Sequence, residues 1–197
     1  MKKIIHITLI NIIIIFISLG CSPIRYDGPY KGIIIDEETG EPIEGVVVLG
    51  VWTREIVTPG GATHQFYDAK ETVTNKNGEF TIRGLGLLLF SNIIPMDVVI
   101  FKSGYTQWGY MTWKELKKTV ETEKDRAIIP LRKLTIKQRK KRSISRPNVP
   151  DEKMTMLTKE INKERVEEGL LLYSGVFVLQ FIFLEKLLKV DVGFVWR

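Results

Sequence analysis

The sequence predicts a mainly β domain, a β-sandwich, followed by a helical extension. Between Tyr30 and Pro130, short runs of β-branched residues alternate with clusters of Gly, Asn and Asp, which is the pattern of strands joined by turns. A helical pattern of substantial length begins only at Asp151. Strands grouped in one region and helices in another favour a sandwich over an α/β domain.

The composition narrows the class of protein. The chain has 197 residues, 26% of them charged and 44% hydrophobic, so it is neither wholly disordered nor collagen-like. A single cysteine excludes an intramolecular disulfide framework. The formal net charge of +6 suggests an acidic partner, but this inference depends on where the charge lies.

About seven strands are expected from the β-branched runs. They cover residues 31–35, 45–52, 71–74, 79–83, 96–102, 105–110 and 127–133. Asn77-Gly78 is typical of a two-residue hairpin turn, so the third and fourth of these strands should pair with each other.

The segments between the strands carry their own signals. Thr112 is a suitable N-cap for a short helix over 113–119. The segment 53–70 is expected to be a loop. The apolar stretch from Leu85 to Phe90 is expected to pack beneath a sheet edge, and it would be an interaction patch if it were exposed.

Three segments carry a resemblance to a known family. Residues 31–48 read KGIIIDEETGEPIEGVVV, residues 72–82 read TVTNKNGEFTI, and residues 101–105 read FKSGY. They resemble, in order, the three signatures of the carboxypeptidase regulatory-like family and cover roughly residues 29–135. The resemblance implies a Greek-key, prealbumin-like sandwich of about seven strands. It does not imply peptidase activity, because the family's domain is an addition to many unrelated proteins.

The N-terminus reads as an export signal. Lys2 and Lys3 precede an apolar run over residues 4–20, which ends directly before Cys21. The sequence from Ser18 to Cys21 resembles the lipobox of bacterial lipoproteins, which implies a lipid on the Cys21 sulfur. We therefore expect a signal peptide over 1–20 and a tether over 21–28; a plain signal anchor is the alternative.

A basic arm follows the predicted strands. Eight basic residues lie within 132–146, which holds no acidic residue, and we call this segment the basic arm: Arg132, Lys133, Lys137, Arg139, Lys140, Lys141, Arg142 and Arg146. The pattern predicts a basic linker over 136–150. In an exported chain its partners would be anionic lipid headgroups or acidic cell-wall polymers rather than nucleic acid. A solvated linker without a partner is the alternative.

The C-terminal part, 151–197, is expected to be a helical and apolar extension. Residues 151–168 form an amphipathic pattern with Met154, Leu157 and Ile161 on one stripe, and Gly169 is in place for a C-terminal cap. The stripe predicts a helix that docks on the sandwich. The apolar stretch from Leu170 to Leu184 is too short for a comfortable membrane span, and its structure stays open between strand, helix and membrane association.

Few residues suggest a ligand site. Trp108, Tyr110 and Trp113 are candidates for an exposed aromatic surface that stacks on sugars, with burial in the core as the alternative. His64 is the one histidine after Cys21, so a multi-histidine metal site is excluded and a hydrolase would depend on this residue. The sequence predicts no metal and no cofactor.

These features together predict location better than activity. We expect a lipid-anchored protein of the bacterial cell envelope, outside the cytoplasm, with a non-catalytic binding or structural role. A carbohydrate-binding accessory module that uses the three aromatic residues is the alternative. A hydrolase that uses His64 is the third and least favoured hypothesis.

Overall fold

The computed structural model describes residue 11 and residues 24–169, and this part of the chain is mainly β, as predicted. Its strands are β1 Ile24–Asp27, β2 Tyr30–Asp36, β3 Val47–Thr58, β4 Gly61–Val73, β5 Glu79–Ile82, β6 Gly86–Leu89, β7 Asp97–Phe101, β8 Trp108–Thr112, β9 Glu121–Glu123 and β10 Arg126–Leu131. Its α-helices are α1 Trp113–Thr119, α2 Ile136–Lys141 and α3 Thr155–Glu167, with a 3₁₀ turn at Asp151–Lys153.

Two parts of the sequence-based interpretation lie outside the described residues. These are Cys21, with the signal segment before it, and the apolar stretch from Leu170 to Leu184. Among the residues that are described, no helix has both the length and the apolar character needed to cross a membrane.

Two four-stranded sheets share one core. One sheet has the order β5-β2-β10-β9 and the other the order β4-β3-β7-β8, while β1 and β6 form a separate two-stranded ribbon. β10 pairs with β2 in parallel, and β2 pairs with β5 antiparallel. Ile34 and Ile129 from the first sheet and Val48 and Trp52 from the second are fully buried in this core. Alternation of side chains along each strand explains why both sheets present an apolar face.

The hairpin predicted at Asn77-Gly78 is wrong, because β4 pairs with β3 and β5 pairs with β2. The Asn75 side-chain oxygen accepts hydrogen bonds from the backbone N–H groups of Asn77 at 2.9 Å and Glu79 at 3.0 Å. Gly78 has φ +69°, and a Cβ there would lie 2.4 Å from the Ile34 carbonyl oxygen. The turn residues therefore form a corner that carries the chain from one sheet to the other.

The segment 53–70 is not a loop. β3 and β4 continue as a long antiparallel hairpin that closes between Thr58 and Gly61, with one β-bulge after Trp52. Pro59 lies at the tip, where its missing N–H interrupts no ladder hydrogen bond. Pairing therefore runs past the sheet core and carries the hairpin tip beyond it.

A second core lies on the outer face of β3 and β7, where α3 packs. Val47 and Leu49 of β3 are buried there against Leu157 and Ile161 of α3. The predicted docking helix is confirmed, and it ends as predicted before Gly169, which has φ +71°. Its start was predicted wrongly, because residues 151–153 form a 3₁₀ turn and the α-helix begins only at Thr155. β3 is buried on both faces because the other sheet packs on its inner face and α3 packs on its outer face.

The N-terminus of α3 is capped from the sheet rather than from its own sequence. Met154 at the N-cap makes no side-chain cap hydrogen bond. Instead, the Glu71 carboxylate of β4 accepts from the backbone N–H groups of Met156 at 2.9 Å and Leu157 at 2.7 Å. Burial raises the pKa of Glu71, and these two hydrogen bonds oppose that shift. The cap fixes the start of α3 to β4.

Part of the basic arm is folded against α3, which the linker prediction missed. Arg139 pairs with Glu167 at 2.9 Å, and Arg142 pairs with Glu164, which is fully buried. The Arg142 guanidinium also lies 5.0 Å from the centre of the Phe101 ring. A run of like charge in a sequence does not show which acidic groups it faces. Here it faces the buried Glu164 and the exposed Glu167 of α3.

The ribbon of β1 and β6 is held to the core by Asp27, whose residue exposure is only 4%. Its carboxylate accepts hydrogen bonds from the Tyr30 hydroxyl at 2.6 Å, the Trp52 indole N–H at 2.9 Å and the Leu85 backbone N–H at 3.0 Å. The predicted packing of the stretch from Leu85 to Phe90 is half right. Leu85 and Leu88 pack against the core, whereas the other apolar residues of the stretch are exposed.

We expect Glu164→Gln to lower the free energy of unfolding by about 3 kcal/mol, because it leaves the largely buried Arg142 guanidinium without its counter-charge. The matched change Glu167→Gln lies on the same helix at a side chain that is 47% exposed. It should cost no more than about 1 kcal/mol. Urea unfolding followed by circular dichroism measures both changes. Equal losses would contradict the view that the buried pair is the stronger link between the basic arm and α3.

Candidate functional site

A groove of about 340 Å³ lies on the outer face of the β4-β3-β7-β8 sheet, beside the second core. It is lined by Thr53, His64, Phe66, Tyr110, Ser145, Arg146, Pro147 and Asn148. The groove brings together His64 and Tyr110, which belonged to two separate hypotheses at the level of sequence. We take this groove as the candidate ligand site.

Strand register and one clamped loop position the lining residues. Thr53 of β3 lies opposite Phe66 of β4, and His64 lies two residues before Phe66, so the two β4 side chains share a face. The loop wall is held by Gln107, whose side-chain amide donates to the Ser145 carbonyl at 2.7 Å and accepts from the Ser145 N–H at 2.8 Å. The groove therefore has a sheet on one side and a fixed loop on the other.

A half-buried carboxyl group, that of Asp97, hydrogen-bonds to the groove residue Tyr110. Burial raises the pKa of Asp97, and the hydrogen bond from the Tyr110 hydroxyl opposes this shift. Of the smaller charge effects, Glu115 raises the pKa of Asp97 and His64 lowers it. Burial raises the pKa of Tyr110 as well, and the Asp97 charge adds to this effect. The Tyr110 hydroxyl thus stays protonated and donates to Asp97.

The three candidate aromatic residues do not form one exposed surface. Trp113 is only 8% exposed, and its ring lies in edge contact with Tyr30 and Phe80 at centroid distances of 5.6 Å and 6.1 Å. Trp108 is partly buried against the core, and its indole N–H donates to the Pro130 carbonyl at 3.0 Å. Tyr110 is 44% exposed. The packing of Trp113 follows from its place at the start of α1, whose apolar side faces the core.

The lining suits hydrogen bonding to a polar ligand. It offers an imidazole at His64, a hydroxyl at Thr53 and an amide at Asn148, beside the ring faces of Phe66 and Tyr110. Within the described residues no three His, Cys, Asp or Glu side chains come close enough together to hold a metal ion. The Arg146 guanidinium in the groove is paired with Asp151.

Sequence reasoning missed most of this groove. Thr53 and Phe66 were assigned to a loop, and the residues 145–148 to a linker. The alternation of small or polar residues with His64 and Phe66 along 61–67 is the signal that could have indicated a strand and a shared face. No local signal indicates that the loop after the basic arm returns to this strand.

The exposed members of the basic arm lie at one end of the domain. They are Arg132, Lys133, Lys137, Lys140 and Lys141. Lys133 lies near Asp36 at the end of β2, where backbone hydrogen bonds from Glu38 and Thr39 lower the pKa of Asp36 and the Lys133 charge makes a smaller contribution.

Comparisons of the chain with protein-family models, with curated proteins and with solved structures found no match.

Asp97→Asn should change how stability depends on pH. The folded chain binds the Asp97 proton more tightly than the unfolded chain, whose pKa is near 3.8, so the contribution of this carboxyl to stability falls as the pH rises from 3.8 through the folded pKa. The free energy of unfolding of Asp97→Asn, minus that of the wild type, should therefore increase with pH across this window. Urea unfolding at a series of pH values measures the difference.

Glu115→Gln is the control of opposite sign. Hydrogen bonds from Thr112 lower the pKa of Glu115, so its contribution is present above pH 4.5 and lost as the pH falls through the folded pKa. The difference between this variant and the wild type should decrease as the pH rises. If the difference in unfolding free energy for Asp97→Asn stayed constant with pH, or decreased as it does for Glu115→Gln, then folding would not raise the pKa of Asp97.

Proposed function

We propose that this chain is a membrane-anchored lipoprotein of the bacterial cell envelope, with a non-catalytic binding or structural domain outside the cytoplasm. The proposal rests mainly on how closely the predicted anchor precedes the domain. The apolar run of residues 4–20 ends at Cys21, and only Ser22 and Pro23 separate Cys21 from β1. The lipobox-like residues thus lie two residues before the first strand.

We further propose that the domain is a Greek-key β-sandwich of the carboxypeptidase regulatory-like, prealbumin-like type. Glycines within the three resembling segments support this assignment. Gly40, Gly45, Gly78 and Gly104 all have φ between +69° and +86°, where a side chain is disfavoured. The family signatures therefore coincide with turns that need glycine for a physical reason.

The absence of enzymatic activity is part of the proposal. This part is supported by the structural contacts that already occupy several charged groups. Asp27 accepts three hydrogen bonds, and Glu164 pairs with Arg142. In the groove, the Asp97 carboxyl accepts from Tyr110. The single imidazole of His64 is then left among hydroxyl, amide and aromatic neighbours, which suits binding of a polar ligand.

The carbohydrate-binding alternative loses most of its aromatic platform. Trp113 lies in the core and Trp108 donates its indole N–H to a backbone carbonyl, so a sugar would have to stack on Tyr110 alone among the three. A polar ligand in the groove, held by His64 and Thr53, is the form of binding that the geometry favours.

The basic arm faces away from the tether. β10 runs parallel to β2 and ends beside Asp36, so the arm that follows starts at the far end of β2 from β1. Seven residues of β2 at about 3.3 Å each place that end roughly 20 Å away, which exceeds the screening length of about 8 Å in physiological salt. We infer that acidic cell-wall polymers, rather than the headgroups at the tether, are the partners of its exposed lysines.

The substitution Cys21→Ser tests the proposal. It should remove lipid labelling and release the protein from the membrane fraction of the expressing bacterium, because a serine side chain carries no sulfur for the thioether-linked lipid. The measurement is metabolic labelling with a fatty acid, followed by fractionation of the membranes.

Ser22→Ala is the matched control, since it changes the adjacent residue and leaves the sulfur in place. It should retain both the label and the membrane location. Lipid labelling of Cys21→Ser at the wild-type level would overturn the lipoprotein assignment. Membrane retention of the wild-type chain without any lipid label would identify a plain signal anchor instead.

A further inference from the structure

The ribbon of β1 and β6 presents one apolar face to solvent. Ile24 pairs with Leu89 and Tyr26 pairs with Leu87, so these four side chains share a face. Their exposures are 58% for Ile24, 56% for Leu89, 71% for Tyr26 and 60% for Leu87. Phe90 continues the stretch and is 79% exposed. A contiguous apolar surface of this kind is typical of a contact site rather than of a solvated edge.

The opposite face of the ribbon is fixed to the domain. Leu88 packs against the core, Arg25 donates to the Ile93 carbonyl at 2.8 Å, and Asp27 accepts the three hydrogen bonds described above. The exposed face therefore has a defined orientation relative to both sheets.

The tether limits where this face can be. Three residue steps join Cys21 to Ile24, and a fully extended chain of that length spans at most about 11 Å. Lipid on the Cys21 sulfur and a retained anchor helix ending near residue 20 both hold Cys21 at the membrane surface. In either case the apolar ribbon begins within about 11 Å of the bilayer.

We propose that the apolar ribbon is a membrane-contact surface, which inserts Tyr26, Leu87, Leu89 and Phe90 into the boundary between the lipid headgroups and the acyl chains. This inference rests on the proposed membrane attachment. It adds that the domain lies on the bilayer in one orientation instead of swinging on a tether.

One other exposed apolar side chain, that of Val57, agrees with this orientation. The β3–β4 hairpin extends from the same end, since the Glu55 N–H donates to the Asn92 carbonyl at 3.0 Å, two residues after Phe90. Val57 near the hairpin tip is 82% exposed. The basic arm begins at the other end, beside Asp36, so its start lies away from the ribbon.

The C-terminal segment 170–197 is a less suitable occupant of the ribbon. α3 ends beside Ser103, whose hydroxyl donates to Glu167 at 3.2 Å, just after the end of β7. β7 is antiparallel to β3, and β3 approaches the ribbon at Trp52. The described chain therefore ends at Gly169, remote from the ribbon, whereas the tether adjoins it.

Fluorescent reporters in the full-length chain test the proposal. Leu87→Cys and Leu89→Cys place a thiol on the apolar face, and Ile136→Cys places one at the basic end on an apolar residue that is also 56% exposed. Each thiol is labelled with NBD after purification of the lipidated chain, in which the Cys21 sulfur is blocked. The chains are reconstituted in vesicles of phosphatidylethanolamine and phosphatidylglycerol, with or without nitroxide-labelled lipid.

We expect nitroxide lipid to lower NBD emission about twofold or more at positions 87 and 89, because an apolar face at the interface lies about 5–10 Å into the headgroup and acyl boundary. Nitroxide lipid should change the NBD emission at position 136 little. Because the side chains replaced are all more than half exposed, none of the reporters should disturb the core.

The other outcomes overturn the proposal in distinguishable ways. Vesicle-bound chains without quenching at 87 and 89 would exclude ribbon insertion while leaving membrane attachment intact. Equal quenching at 136 would exclude a fixed orientation. Blue-shifted NBD emission at 87 without lipid quenching would mean that protein covers the ribbon, either residues 170–197 or a second copy. Chains that do not sediment with the vesicles would contradict the proposed attachment itself.

Discussion

The Asp27 carboxylate is buried where the first strand of the domain meets its core, and it accepts hydrogen bonds from three separate parts of the chain. The Tyr30 hydroxyl comes from β2, the Trp52 indole from β3 and the Leu85 N–H from the segment that enters β6. A buried carboxylate is costly unless such donors surround it, so each donor position is constrained by the others. The ribbon of β1 and β6 therefore has a fixed place on the two sheets, although only two strands form it.

Fixing the ribbon gives the molecule two unlike ends. The apolar face of the ribbon adjoins the segment after Cys21, while the parallel pairing of β2 with β10 carries the basic arm to the end marked by Asp36. In the proposed orientation the first end meets lipid and the second meets acidic polymer. α3 stabilises the second end, because Glu164 pairs with Arg142 and thereby holds the basic arm against the helix.

Most of the features that the sequence predicted correctly are local ones. The cap at Thr112, the start of α1 and the glycine end of α3 at Gly169 depend on neighbours within one helical turn, and all are present. Errors arose where tertiary pairing decides. Asn77-Gly78 forms a turn whether or not the strands on either side of it pair with each other. No hairpin forms because β5 pairs with β2 instead of β4, and the local sequence does not show this. Tyr110 and His64 were both named as candidates, but their proximity was not predicted, because β4, which carries His64, was interpreted as a loop.

Amide hydrogen exchange of Asp27→Ala tests most directly whether this carboxylate holds the ribbon. The substitution leaves the buried Trp52 indole N–H and the partly buried Leu85 N–H without an acceptor, which costs about 1–3 kcal/mol for a buried group. Exchange in β1 and β6 should therefore rise about tenfold or more, with much smaller changes in β3 and β7. Tyr30→Phe, which keeps both N–H bonds, should leave the ribbon protected. Unchanged protection of β1 and β6 in Asp27→Ala would contradict the account.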